Sequence, residues 1–410
     1  MSQEEMTPRG DSAEAREGGP FRPRRVLVVF VDALGPSQLE TFEGLRGLPH
    51  RGRLRGILGY SCGALPTILT GAPPERHGRM CLFAHAERED EGVLSPLRWL
   101  GLLPRQVHER GMLRRAAARV LKRTEGLTGY VDLYRVPPEL FRWLDLPERE
   151  DLFNAERIGG VETFLTKARR AGLRVFAAPW QLPEEERWAH TCAVLRASKP
   201  DLAFAYATAL DGALHRTGNG SRDALATARR LTERIEQTVD AMRAGGGDVT
   251  TVMVGDHGMA DIHEVVDSRR MLGELRGTRL FLDSTMLRVW GDERTREKAR
   301  ERMVAHGLPG RWLDAEALVE RQAPVRGAPY GQALFVLREG ALFAPSFVGG
   351  NVRGMHGYDV DSPSAYAAIA SDAPLPTERG ALMDVAGWVC AMLGLEGETN
   401  PDGRPPWAAA

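Results

Sequence analysis

A chain of 410 residues, 43% hydrophobic and 27% charged, can bury one large core and a smaller second unit, and its composition excludes wholesale disorder. Its formal net charge of −1 excludes a global field that draws it onto nucleic acid or anionic membrane, although a narrow basic site remains compatible. The four cysteines, Cys62, Cys81, Cys192 and Cys390, form no C-x-x-C pair, and no run of about 18 apolar residues exists to span a membrane. Reduced thiols in a cytoplasmic protein are the expectation.

Residues 1–23 are rich in Glu, Arg, Gly and Pro, lack an apolar signal region, and read as a disordered tail. The run Val26-Leu27-Val28-Val29-Phe30-Val31 then has the continuous β-branched character of a strand buried on both faces. Leu202–Ala207 and Val249–Val254 share that character, and Leu173–Ala178 follows a helical stretch from about Arg157 to Ala171. From Arg222 to Met242, Leu225, Ala228, Ile235, Val239 and Met242 fall on one helical face. Strands alternating with amphipathic helices predict a doubly wound, mostly parallel α/β sheet.

Two stretches interrupt this rhythm. Residues 79–151 are aromatic and proline-punctuated and predict a helical lid. Residues 265–346 carry short strand-like runs around a helix at Glu293–His306 and predict a small α+β cap. The core is then 24–264 with 347–394, and 395–410, rich in Gly and Pro, read as a flexible tail. No internal repeat stands out.

Ligands of open α/β sheets bind beyond the C-terminal ends of the strands. Asp32 follows the first strand, Asp211 and His215 follow the strand at Leu202, and Asp256 and His257 follow the strand at Val249. With His356 in Gly354-Met355-His356-Gly357-Tyr358, these three aspartates and three histidines suit two borderline-hard divalent ions such as zinc. The loop Gly59-Tyr60-Ser61-Cys62-Gly63 runs into a helix, so Ser61 would sit near a helix N-terminus, where backbone N–H groups favour a phosphoryl group. A serine hydroxyl needs a base or a metal to become a nucleophile, and metal coordination would supply it.

Together these motifs resemble the alkaline phosphatase superfamily in its type I phosphodiesterase/nucleotide pyrophosphatase branch. Asp32 matches the Asp that ends the family's first strand. Ser61 precedes Thr70-Gly71 and the P-E-x-H-G of Pro74–Gly78. Asp211 and His215 match D-x-x-x-H, Asp256–Met259 match D-H-G-M, and His356–Tyr358 match H-G-Y. The resemblance implies an alkaline-phosphatase-like fold and two zinc ions. One would be held by Asp211, His215 and His356, the other by Asp32, Asp256 and His257 with Ser61. It also implies phosphodiester hydrolysis through a phosphoseryl intermediate on a small-molecule phosphate ester. The sequence departs from the family in one place: nucleotide pyrophosphatases carry an Asn after the H-G, where this chain reads Arg79-Met80-Cys81-Leu82. The C/S-x-P-x-R of sulfatases does not fit Cys62-Gly63-Ala64-Leu65-Pro66.

Phosphomonoester hydrolysis and a catalytically silent phospho-ligand-binding fold are the alternatives; no motif supports a nucleic-acid partner. Singly, an Asp after a strand is more often a cap than a ligand. Cys62, beside Ser61, is a competing metal ligand. His77 is expected to cap or pack its helix, and His263 has no evident partner. Arg110, Arg114, Arg115, Arg119, Lys122 and Arg123 read as a solvated helix face, with an anionic substrate or a membrane surface as the competing reading. Trp99, Tyr130, Tyr134, Phe141 and Trp143 are core or pocket floor.

Overall fold

β1 (Arg25–Val31) is buried at every one of its seven positions, as its unbroken run of Val, Leu and Phe requires. In the computed structural model, which describes residues 25–45 and 47–395, this strand is the axis of a seven-stranded sheet. The tails expected at 1–23 and beyond 395 lie outside the described residues. The other strands are β2 (His50–Arg55), β3 (Val175–Ala177), β4 (Leu202–Ala207), β5 (Val249–Val254), β6 (Ala367–Ser371) and β7 (Arg379–Ala381), in the order β7-β2-β6-β5-β1-β4-β3. β1 pairs in parallel with β4 (Val26 opposite Leu202) and with β5 (Val26 opposite Thr250), and β3 is parallel to β4. β6 is antiparallel to both β5 and β2, and β7 is parallel to β2.

Period-2 alternation along β1 feeds two cores. Val26, Val28 and Phe30 pack with α1 (Ser61–Thr70), α2 (Phe164–Arg170) and α6 (Asp384–Met392), through residues such as Ile68, Phe164 and Trp388. Leu27, Val29 and Val31 pack on the other side with α3 (Glu184–Ser198), α4 (Ala209–Thr217) and α5 (Arg222–Arg243), through Leu195, Leu214, Leu231 and Ile235. Ser221 caps α5 by accepting from the Ala224 N–H, so the helix starts where the amphipathic pattern does. Helices on both faces of a mainly parallel sheet make the doubly wound fold that the sequence predicts.

The sheet gains β2, β6 and β7, which have no counterpart in the apolar runs of the sequence. β2 is an arginine-rich strand with a single buried position, Leu54, and β6 is five small or aliphatic residues whose partners lie over a hundred positions away. The predicted helix from Arg157 begins only at Phe164, because Arg157–Ile158 and Val161–Glu162 form a tight hairpin first.

Residues between β5 and β6 fold into the cap. A four-stranded antiparallel sheet runs in the order Arg279–Leu282, Met286–Trp290, Ala333–Leu337, Gly310–Leu313, with the helix Glu293–Ala305 against it. In the lid, regular helix concentrates in Gly111–Thr124; Ser95–Leu102 and Pro138–Arg142 are 3-10 turns, each with proline in its first turn. Phe83, Leu121, Leu133, Phe141 and Trp143 of the lid share one core with Phe281 and Trp290 of the cap.

Candidate metal centre and nucleophile

Each proposed ligand hangs on a regular element. Asp32 is the first residue after β1, its N–H bonded to the Ala207 carbonyl at the end of β4 at 2.9 Å. Asp211 lies in the first turn of α4 and His215 one turn later, so both occupy one face and approach to 3.2 Å. Asp256 and His257 follow β5. His356 is brought to them by a two-residue antiparallel ladder, Ala260 opposite Met355 and Asp261 opposite Gly354. That ladder joins the D-H-G-M and H-G-Y motifs across about a hundred residues of cap.

The glycines of these motifs have steric reasons. A Cβ on Gly255 would stand 2.1 Å from the Leu34 carbonyl oxygen, so only glycine lets the β5 loop pass the β1 loop. Gly357 has φ +82°, and a Cβ there would lie 2.3 Å from the Tyr60 ring. Tyr60 itself is fixed by a 2.8 Å hydrogen bond to Thr285, whose hydroxyl donates to the Gly357 carbonyl at 2.6 Å.

Hydrogen bonding settles which histidine nitrogens face the cluster. His215 Nδ1 lies 2.8 Å from the Gly354 carbonyl and His257 Nδ1 lies 2.9 Å from the Gly258 carbonyl. A carbonyl only accepts, so each Nδ1 carries the proton and each Nε2 turns a lone pair inward. His257 Nε2 meets Ser61 Oγ at 2.9 Å and Asp256 Oδ2 at 3.2 Å. Its ring stacks on His356 at 3.6 Å between centroids.

Asp32 Oδ1, Asp211 Oδ1 and Asp256 Oδ2 are buried with no hydrogen-bond partner, and His356 Nε2 faces Asp211 Oδ1 at 3.9 Å. Burial, reinforced by the neighbouring Asp256 and Asp211 charges, pushes the Asp32 carboxyl well above the usual carboxylate range. Asp256 is raised chiefly by burial as well. Burial and the flanking histidines drive His356 far down, to the neutral form. At His215 burial acts downward, but the adjacent Asp211 carboxylate, which favours the protonated ring, outweighs it and the net shift is upward. A set of inward acceptors that lacks donors and repels itself fits a cationic guest. Two such groups exist among the described residues, Asp32–Asp256–His257 and Asp211–His215–His356, with the ligand atoms within each group inside 4.8 Å of one another.

Ser61 is the first residue of α1, half-buried, and no side chain caps that helix N-terminus. The Gly63 and Ala64 N–H groups bond to the Tyr60 carbonyl at 2.7 and 3.1 Å, which leaves those of Ser61 and Cys62 as the ones a phosphoryl oxygen would meet beside the hydroxyl. Cys62 turns away: its thiol donates to the Met80 carbonyl at 3.6 Å, and burial keeps it protonated. His77 is structural. Its Nδ1 accepts from the Arg79 N–H at 3.1 Å, so Nε2 carries the proton and donates to Thr67 Oγ1 at 2.9 Å, which donates to the Gly63 carbonyl at 3.0 Å. This chain fastens α1 to the loop that follows it. Burial lowers the His77 pKa to about 3. His263 is exposed, outside both ligand groups.

One residue of the site leaves no trace in the sequence pattern. Glu184 Oε2 accepts from the N–H groups of Thr208 and Ala209, each at 2.7 Å, and so caps α4 from another helix. It holds the turn that presents Asp211 and His215. In sequence it is one of three glutamates opening α3, indistinguishable from its neighbours. A cleft of about 530 Å³ between lid and cap, lined by His85, Arg279, Trp290 and Arg326, shares no residue with the cluster.

Residues 114–359, more than half of the chain, match the profile of the type I phosphodiesterase / nucleotide pyrophosphatase family. The chain belongs to that family. Its match takes in Asp211, His215, Asp256, His257 and His356, while Asp32 and Ser61 precede it. No curated protein matches the chain. Among solved structures, human ectonucleotide pyrophosphatase/phosphodiesterase 5 superposes with a TM-score of 0.64 at 13% identity, covering 92% of this chain and 96% of that one. An inactive variant of the murine protein in complex with AMP gives 0.65 at 15% identity, with coverages of 92% and 96%. At these identities the likeness concerns the fold, which is the one described above. Membership of this family supports phosphodiester hydrolysis as the general class of activity, and metal dependence is typical of it.

Proposed function

We propose that the chain hydrolyses a small phosphodiester through Ser61, with two divalent cations, zinc by the character of the donors, in the two ligand groups. One observation carries the reading: the Ser61 hydroxyl sits at an uncapped helix N-terminus and touches a cluster whose buried acceptors lack donors. Cations there would neutralise the carboxylates, lower the pKa of the serine hydroxyl and polarise the phosphoryl group. Ser61 Oγ then bonds to phosphorus while the leaving oxygen departs in line, and the first N–H groups of α1 hold a non-bridging oxygen. Water then attacks phosphorus, the bond to Ser61 Oγ breaks, the serine takes back a proton and the phosphate monoester leaves. A silent binding fold would have lost a ligand or the nucleophile; all seven residues are present.

Phosphomonoester hydrolysis is the second reading, and Arg79 favours it. Its Nη1 is buried without a partner, in the stretch where nucleotide pyrophosphatases carry Asn. A guanidinium nitrogen left without an acceptor, on a side chain that also attracts Glu148, suits a dianionic phosphoryl group. A cytoplasmic setting belongs to the proposal too, supported by four unbridged cysteines. Thiol titration of protein unfolded without reductant should count all four.

The test is to measure bound metal and to assay bis(p-nitrophenyl) phosphate against p-nitrophenyl phosphate, with Ser61→Ala and His356→Ala beside the parent. About two zinc ions per chain with diester turnover lost in both variants supports the diesterase. Preference for the monoester moves the substrate class, and full activity in Ser61→Ala removes the nucleophile.

A further inference from the structure

The basic run of the lid takes no part in the cluster, and its surroundings are not those of an ordinary solvated face. From Trp99 to Thr124 six arginines and one lysine stand against one glutamate, in a chain of formal net charge −1. Arg114 is buried and serves the fold, donating to the carbonyls of His108, Leu133 and Val136 at 3.0, 3.2 and 2.8 Å. Arg105 pairs with Glu109. Arg110, Arg115, Arg119 and Arg123 are exposed and have no ion-pair partner among the described residues.

Large apolar side chains stand in water in the same stretch of the chain, whose helices Ser95–Leu102 and Gly111–Thr124 both pack on the short helix Arg105–His108. Nine large hydrophobic side chains are exposed among the described residues, and five fall within this short span: Trp99 (59%), Leu102 (78%), Leu103 (40%), Met112 (72%) and Val120 (60%). Single exposed hydrophobics are ordinary, but a cluster marks a contact surface. Trp99 and Leu102 are three apart in a 3-10 helix, where such side chains eclipse. Met112 and Val120 are two turns apart on Gly111–Thr124, with Arg115, Arg119 and Arg123 at the neighbouring positions. The opposite face of that helix, Arg114, Ala118 and Leu121, is buried in the lid.

A nucleic acid would neutralise the arginines and could stack on Trp99 but would leave Leu102 and Met112 in water, and an acidic protein would have to match charges and apolar tips in one fixed pattern. A bilayer with anionic head groups satisfies both sets, since guanidinium groups meet the phosphates while apolar tips enter the acyl boundary. Tryptophan favours that interface for the same reason. We propose that this outer face of the lid is a peripheral docking surface for an anionic lipid bilayer. Among the described residues no helix is long and apolar enough to cross a membrane, so the contact lies on the surface. The proposal does not rest on the hydrolytic reading.

The experiment is sedimentation of the full chain with phosphatidylcholine vesicles and with vesicles carrying about one third phosphatidylglycerol. The chain should sediment with the anionic vesicles and remain in solution with the neutral ones. The double variant Arg115→Gln/Arg119→Gln should partition roughly thirtyfold more weakly, near a factor of five per charge. Leu102→Ser/Met112→Ser should weaken it about tenfold or more. All four side chains are exposed, so both variants should keep the parent's melting temperature and its rate on a soluble ester. Absence from both vesicle types overturns the proposal, as does equal binding to both. Undiminished binding by Leu102→Ser/Met112→Ser also overturns it, and if that variant then holds an oligonucleotide as tightly as the parent, the surface belongs to nucleic acid.

Discussion

Asp32, Asp211, His215, Asp256 and His257 sit one to eight residues past the ends of three adjacent parallel strands, whereas the lid hangs from a two-residue ladder, Ala84–His85 with Leu144–Asp145. The cluster is buried, tightened by glycines that admit no Cβ, and electrostatically unsatisfied. The lid is irregular, carries exposed apolar and cationic side chains, and is satisfied internally by side-chain-to-carbonyl bonds such as those of Arg114. Chemistry that needs fixed distances is built on the sheet, where parallel register is set by a buried core. The proposed docking surface, by contrast, lies on an insertion, where contacts tolerate motion.

That contrast can be broken in several places. The largest effect is expected at the nucleophile: Ser61→Ala should lower turnover by roughly a thousandfold or more with metal content and fold retained, which steady-state kinetics beside metal analysis would check. Substitutions confined to the lid's outer face should leave the same rate untouched.

Next comes His77. Replacement by Ala leaves the Arg79 N–H without its acceptor, takes the donor from the Thr67 oxygen and opens a cavity, so unfolding by urea should show a loss of about 2–4 kcal/mol. Because the folded His77 stays neutral down to about pH 3, the unfolded chain alone takes a proton as pH falls below about 6.5. Its contribution to stability is therefore complete above that pH and drains away between 6.5 and 3. A parent that loses no more stability than His77→Ala over this window would contradict the buried neutral ring.

Glu184→Ala tests whether one distant side chain positions half of the cluster. Uncapping α4 should weaken metal binding at Asp211–His215–His356 by about ten- to a hundredfold, with the Asp32–Asp256–His257 group less affected, as competition with a chromophoric chelator would resolve. Equal weakening of both groups would count against a local role.

The smallest effect lies in the lid. Burial pushes Glu148 up to about 7, against the attraction of Arg79 and Lys122. The unfolded chain ionises near pH 4.5, so the folded state holds its proton longer, and this contribution to stability is lost as pH rises from 4.5 through 7. Melting temperatures of the parent and Glu148→Gln should diverge across that window and run parallel above it.

How much of this could be read beforehand follows from range. β1, β4 and β5 declare themselves because a strand buried on both faces must be apolar throughout. Asp32 and Asp256-His257 follow, since they abut those strands. Asp211 and His215 are legible through their spacing of four on one helix. β2 and β6 were not legible: an edge strand reading His-Arg-Gly-Arg-Leu-Arg carries no apolar run, and both exist only through pairings with distant segments. The lid's helix was expected too broadly, because proline and aromatic composition does not distinguish a 3-10 turn from an α-helix.

By itself, then, the sequence determined the doubly wound sheet, the residues that could bind metal and the serine at a helix entrance, since each rests on burial or local spacing that the chain carries within a few residues. Tertiary structure alone decided which nitrogen of His215 and of His257 faces inward, that Glu184 caps a helix it does not belong to, that Cys62 turns away, and that Arg114 is buried while Arg115 and Met112 are exposed. Those outcomes depend on which carbonyl, loop or lid lies opposite a side chain. Such partners lie from tens to hundreds of residues away along the chain.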